Sequence, residues 1–335
     1  MAVTTKTQVS DAQTEFFNAE LLLRARPYLT FDKLGQLRPI PLGTSTQVRF
    51  RRYGVMAVTT TNLSEPTTES PDRAAVQLSI TDVTGTIIKR GNGIALTDQV
   101  LDTSAENVRQ EAQSINGQNA GESVDVYYRN VVDAGTSVIY ANGAARTDLS
   151  SAIDGDDVRR AVRTLERNNA RKHTTIIKAS TGVGTVPIRP AFVAVCHPDV
   201  AHTLRQLTGW RHASEYAQQV GIDGLMDGEI GELHGVRFVM STQARIYTDA
   251  GAAASGLAST GGTVADVYET LVFGQDSYGR CPLKGKGLVT IIKELGSAGT
   301  ADFLDEMSTI AWKFRGVCVI LNDNFQTRIE AGAAS

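Results

Sequence analysis

The chain has 335 residues, 41% of them hydrophobic and 21% charged, with a formal net charge of −3 at pH 7. That is enough chain for one large or two modest cores, and the near-neutral charge argues against a protein that grips nucleic acid tightly. No run of about 18 apolar residues predicts a membrane span, the polar start at Met1–Ser10 lacks a signal stretch, and three scattered cysteines, Cys196, Cys281 and Cys318, match neither a disulfide framework nor a zinc spacing; a reducing cytoplasm is the expected setting.

Ser10 and Gln13 can form a capping box for a helix running to about Arg26, with Phe16, Phe17, Leu21, Leu22 and Leu23 as its apolar stripe and Pro27 as its stop. The chain then reads as an arm through Pro39 and Pro41. From Thr44 the pattern turns to period two, as in Thr46–Arg51, which predicts a strand. A polar stretch at 59–73 contains Pro66 and Pro71, and a second strand-like run spans Val76–Ile88. Together these predict a long two-stranded ribbon. A hairpin without its own core is marginal in water, so the ribbon is expected to rest on something else, such as a neighbouring subunit. Arg49, Arg51 and Arg52 cluster on it. Their bland reading is a solvated or salt-bridged strand. Their functional reading is intersubunit ion pairs to acids such as Glu65, Glu69 and Asp72, with DNA contact as the lesser alternative.

The clearest helix starts near Thr103 or Ser104 and runs to Gly135, with Val108, Ala112, Ile115, Val124, Tyr127 and Val131 at helical spacing. About 30 residues would reach roughly 45 Å. Gly117 and Gly121 lie one turn apart in it, each costing about 1 kcal/mol against alanine. They mark either a weak spot or a close backbone contact. A second helix is predicted over 156–171, its acids at the start and its cations at the end, as the helix dipole favours. Ala191–Val195 reads as a strand and Pro198 opens a helix to about Leu207. Residues 208–245 mix short elements, with a strand at Val236–Met240. The Ala, Gly, Ser and Thr content of 249–263 predicts a flexible surface loop. Strands follow at 288–292, 310–314 and 317–321, with a bulge expected at Gly316, then a turn at Asn322–Asn324 and a last strand at Phe325–Ile329 that closes the sheet.

No catalytic constellation emerges. A nucleophile elbow and a dinucleotide fingerprint are missing from the sequence, and the Gly279–Gly287 stretch has the wrong spacing for a phosphate loop. His197 and His202 are five apart, so they diverge on a helix and suit surface or capping roles better than zinc. Asp154, Asp156 and Asp157 lack the rest of a calcium loop and are expected to cap a helix. No cofactor, metal or catalytic residue is expected.

Four segments carry a resemblance. Ala95–Val100, Val132–Ala141, Phe192–Pro198 and Gly228–Phe238 resemble the major capsid proteins of N4-like tailed bacteriophages, in the same order, over about Leu21–Ile329. The resemblance implies an α+β, HK97-like capsid fold: an N-terminal arm (1–43), an extended β-hairpin loop (44–92), a peripheral domain on a spine helix (93–189), an axial domain (190–285) and C-terminal strands of the peripheral domain (286–335). It implies hexamers and pentamers closing an icosahedral shell around double-stranded DNA, a portal protein, and a place in the virion after assembly in the host bacterial cytoplasm. The short segment before the first helix implies a separate scaffolding protein, and a cement protein is an open possibility. In this arrangement the spine helix lies under a sheet, which favours the close-contact reading of Gly117 and Gly121. The rival expectations are another virion protein, such as a tail tube or decoration protein, and an α+β enzyme.

Overall fold

A computed structural model describes residues 30–335 apart from 44, 55, 59–76, 105–106, 180–182, 221–224, 298–301 and 303. The helix expected at Ser10–Arg26 and the ribbon tip at 59–73 lie outside the described residues. The described chain begins with one helical turn, α1 (Phe31–Leu34), and a short strand, β1 (Gln36–Leu37). The ribbon follows as β2 (Gln47–Tyr53) and β3 (Ile80–Thr86), and β4 (Ile88–Thr97) leads through α2 (Asp98–Thr103) into the long helix α3 (Val108–Val132). Next come β5 (Val138–Tyr140), α4 (Gly155–Arg167), the hairpin β6 (His173–Ala179) and β7 (Val183–Cys196), α5 (Pro198–Leu204), β8 (Arg211–His212) and α6 (Ala213–Val220). The rest is strand: β9 (Glu229–Leu233), β10 (Val236–Met240), β11 (Ile246–Tyr247), β12 (Val267–Phe273), β13 (Tyr278–Pro282), β14 (Leu288–Lys293), β15 (Met307–Ile320) and β16 (Gln326–Ala331).

Two sheets share one helix. The nine-stranded mixed sheet runs β5-β16-β12-β7-β10-β9-β8, with β11 and β6 attached at its side. Its centre is covered on both faces, which is why β12 and residues 191–196 of β7 are buried throughout and read as unbroken apolar runs. On one face Val158, Ala161 and Leu165 of α4 and Val200, Ala201 and Leu204 of α5 pack on Phe192, Ala194 and Cys196. On the other, Val195, Leu271 and Phe273 meet Val124, Tyr127, Tyr128 and Val132 of α3. The same helix also packs on Trp312, Phe314 and Cys318 of β15, the central strand of the five-stranded sheet. Helix α3 is therefore the element through which the two sheets share a core. Alternation along β15 explains how: Ile310, Trp312 and Phe314 face the helix while Thr309, Ala311 and Lys313 face away.

Several expectations are corrected. The long helix starts at Val108, capped by the Asn107 side chain accepting from the Gln110 amide, and 98–103 form a separate helix. Ile115, expected in the core, is 47% exposed. The second helix stops at Arg167 because Asn169 turns the chain at φ 54°. Residues 307–320 form one continuous strand, and pairing passes through Gly316 to both Pro282 and Ile88 without a shift of register. Glycine stands there because a Cβ would lie 2.7 Å from the Phe314 ring and 3.2 Å from the Cys281 carbonyl. The 249–263 segment is pinned rather than free: Ala253 bridges to Val264 and Leu257 to Ala334, and Leu257 is buried. The last strand joins β12 in the nine-stranded sheet, not β15; β13 in turn joins β15. The expected division at 285/286 thus does not coincide with a sheet boundary.

Candidate assembly surface

The arm is docked. Phe31 is fully buried against Phe273 and Tyr278, and β1 pairs in parallel with β13. Polar groups hold the same segment. Asp125, itself fully buried on α3, accepts from the Phe31 amide at 2.9 Å and the Asp32 amide at 3.4 Å. The Tyr278 hydroxyl donates to the Phe31 carbonyl at 2.6 Å, and Arg280 pairs with Asp32 at 2.7 Å. Burial pushes the Asp125 carboxyl up to about 7, against the lowering effect of the Phe31 amide.

The ribbon is a two-stranded antiparallel ladder whose foot rests on the body. Val48 and Phe50 pack with Ile40, Cys281, Val317 and Val319. Arg51 stands directly opposite Asp82 and forms a fork to it, at 3.0 and 3.3 Å. Arg49 reaches the same carboxylate at 3.6 Å. The hydrogen bond from Arg51 holds Asp82 below the usual carboxylate range. The salt-bridged strand reading therefore describes these two arginines within the subunit. Arg52 is exposed and has no ion pair among the described residues. Glu65, Glu69 and Asp72 lie outside the described residues. Beyond its foot the ribbon exposes Tyr53, Val58, Leu78 and Ile80, at 58, 89, 54 and 50%, and a strand pair without a core of its own is marginal in water.

Between the ribbon foot, the arm at 36–41 and the turns around Arg171, Asp276 and Leu321–Phe325 lies a groove of about 860 Å³. Arg38 and Arg171 line it beside the three ribbon arginines. Sequence reasoning took Arg171 only as a helix-end cation and did not single out Arg38, because nothing in their local runs places them near residues 49–52.

The two spine glycines differ. Gly117 is exposed, and a Cβ there would meet nothing within 4 Å; no close backbone contact is made at Gly117 among the described residues. Gly121 is half-buried. At the C-terminal end of α3, Asp133 gathers Arg245, Arg328 at 3.3 Å and the Tyr247 hydroxyl at 3.3 Å. Arg328 also reaches Glu330 at 3.1 Å, and Arg146 holds Glu330 by two bonds of 2.7 and 2.8 Å. Neighbouring Glu269 is pushed up to about 9, by burial first and then by its contact with Asp133. These groups pair with one another across β11, β12, β16, the turn at Arg146 and the helix end, although Glu269 Oε1 and Arg328 Nε are buried without a hydrogen-bond partner among the described residues, and they read as a structural tie.

The remaining candidates fall into structural roles. His197 caps α5, its Nδ1 accepting from the Asp199 amide at 3.3 Å. Asp154 and Asp157 form the capping box of α4. The three cysteines are buried, and burial raises each thiol, to about 12 at Cys196 and about 11 at Cys281. Among the described residues no group of acids, histidines and cysteines is placed to hold a metal ion, and no helix is long and apolar enough to cross a membrane.

The described residues thus form a body joined through one long helix, with a docked arm, a ribbon whose outer part exposes apolar side chains, and an arginine groove at its foot. Residues 81–294 match the phage capsid protein family, and the chain belongs to that family. The capsid of Ralstonia phage GP4 is similar over 100% of this chain and 99% of its own, at a TM-score of 0.66 and 12% identity. The capsid of cyanophage P-SCSP1u is similar over 100% and 96%, at 0.60 and 15%, and the SrpI encapsulin complex of Synechococcus elongatus PCC 7942 over 98% and 96%, at 0.50 and 10%. No curated protein matches the sequence. The fold is HK97-like, and the protein is a major capsid protein that forms the shell of the virion. The likeness extends over several phage groups and shows the phage capsid protein family, not an N4-like subfamily within it.

Proposed function

We propose that the subunit assembles into hexamers and pentamers that close an icosahedral shell around double-stranded DNA, without sequence-specific contact and without a catalytic role. The observation that carries this is the ribbon: its foot is seated on the body, while Tyr53, Val58, Leu78 and Ile80 stand exposed among the described residues, and in this reading a neighbouring copy covers them. In this reading the arm, the ribbon (44–92), a peripheral part on α3 and an axial part within 190–285 are the working units. Arg49, Arg51 and Arg52 serve as an assembly contact to acids of a neighbouring copy. A separate scaffolding protein and a portal protein complete assembly in the bacterial cytoplasm, and a cement protein is an optional addition; no membrane takes part. The modest net charge supports a shell that encloses DNA without gripping it. Electron microscopy of the protein co-expressed with its scaffold tests the reading: closed shells are expected, whereas small oligomers under all conditions, with turnover of a substrate, would overturn it.

A further inference from the structure

Charge is unevenly placed along β15. Its Ile320 end borders the groove, to which Leu321 and Phe325 contribute. Arg38, Arg52 and Arg171 in that groove have no ion pair among the described residues, Arg49 and Arg51 share Asp82, and Asp276 is the acid of the described lining. Val48, Phe50, Leu321 and Phe325 give the same groove apolar surface.

The Met307 end is the reverse. Here the turn between β14 and β15 meets the start of α2, with the Asp98 amide donating to the Glu306 carbonyl at 2.9 Å. Asp98, Asp102, Asp302, Asp305 and Glu306 have no ion pair among the described residues, although Asp302 and Asp98 accept from the Met307 and Gln99 amides. Of the nearby cations, Arg109 is taken up by Glu294, which leaves Lys293 beside Thr309. Leu304 and Leu295 stand in this acidic turn at 62% and 39% exposure.

The two ends are separated by the 14 residues of β15, about 45 Å at roughly 3.4 Å per residue, so a chain cannot place this turn in its own groove. We infer that the acidic, leucine-bearing β14–β15 turn of one copy seats in the arginine groove of the next. This rests on the reading of the protein as a self-assembling shell subunit. Carboxylates suit the planar forks of arginine, and the leucines cover the apolar lining that a purely ionic partner would leave wet. The contact joins different patches of identical subunits, so its repetition closes rings when the rotation allows.

Charge exchange tests it, in cells that make shells from the unaltered chain. The variants Asp305→Lys/Glu306→Lys and Arg38→Glu/Arg52→Glu/Arg171→Glu should each lower shell yield about tenfold or more, since like charges then meet across the contact. Co-expressing the two variants should restore shells in part, because each supplies the surface the other has reversed: a ring of six can alternate them, whereas a ring of five keeps one like-charged contact. Normal yield from either variant, or no restoration on mixing while both subunits keep the parent melting temperature, overturns the inference. So does loss of shells from Glu65→Lys/Glu69→Lys/Asp72→Lys with normal yield from the 305/306 variant, which would make the ribbon acids the occupant. Normal shells that lose only their DNA in the arginine variant would make it nucleic acid. If a reversal fails to fold, the neutral Asp305→Asn/Glu306→Asn and Arg38→Gln/Arg52→Gln/Arg171→Gln variants replace it, with a smaller loss expected and an unchanged yield counting against the contact. Failure of the unaltered chain to make shells is the separate outcome that removes the assembly reading itself.

Discussion

Asp125 holds the arm to the spine helix from a fully buried position, and burial moves its carboxyl from 3.8 to about 7. Between those values the folded subunit keeps a proton that the unfolded chain has released, so raising the pH through that window destabilises the fold; below it both states are protonated and the effect vanishes. The full interval corresponds to about 4 kcal/mol, and the part between pH 5 and pH 8 to about 3 kcal/mol. Asp125→Asn keeps an oxygen to accept from the Phe31 and Asp32 amides and carries no titrating charge. Its amide group adds a burial cost of about 1–3 kcal/mol that does not depend on pH. Denaturant unfolding of the subunit at pH 5 and pH 8 should therefore show the variant gaining about 3 kcal/mol on the parent over that interval. Other titrating groups, Glu269 among them, are common to both proteins and cancel in the difference. Parallel pH profiles for parent and variant would show that Asp125 is not held protonated by burial and that the account of the arm's anchorage is wrong.

Arg328→Met should cost about 3 kcal/mol or more by leaving the buried carboxylates of Asp133 and Glu330 short of a cation; denaturant midpoints measure it. Gly117→Ala should stabilise the subunit by about 1 kcal/mol, because its Cβ enters open space on an exposed helix face, and shells should form normally. Gly316→Val should instead cost about 1–3 kcal/mol by crowding the Phe314 ring, read as a lower melting temperature. A thiol reagent at pH 8 should leave native subunits unmodified and label Cys196, Cys281 and Cys318 only after unfolding, since all three are buried and their thiols are raised.

Local chemistry was legible residue by residue. The Asp154 capping box, Pro198 at the first turn of α5 and the period-two alternation of Gln47–Arg51 each depend on neighbours within a few positions, so the sequence alone places those elements. The four family segments likewise carried the capsid fold, because they sit at element junctions whose order defines it. What the sequence could not settle depends on partners far along the chain. Gly316 reads locally as a break, yet it lies inside one strand because the ladders to β4 and β13 override its low strand propensity. The Ala- and Gly-rich 249–263 segment reads as loose, yet bridges to Val264 and Ala334 pin it. Ile115 fits the apolar period of α3 but is left 47% exposed in the folded chain. Arg51 finds Asp82 31 positions away, and Arg38 and Arg171 join it only because the arm, the ribbon foot and the Arg171 turn converge. Charge and periodicity are properties of a segment, whereas pairing, burial and the polarity along β15 are properties of the distances between segments, and those exist only once the chain has folded.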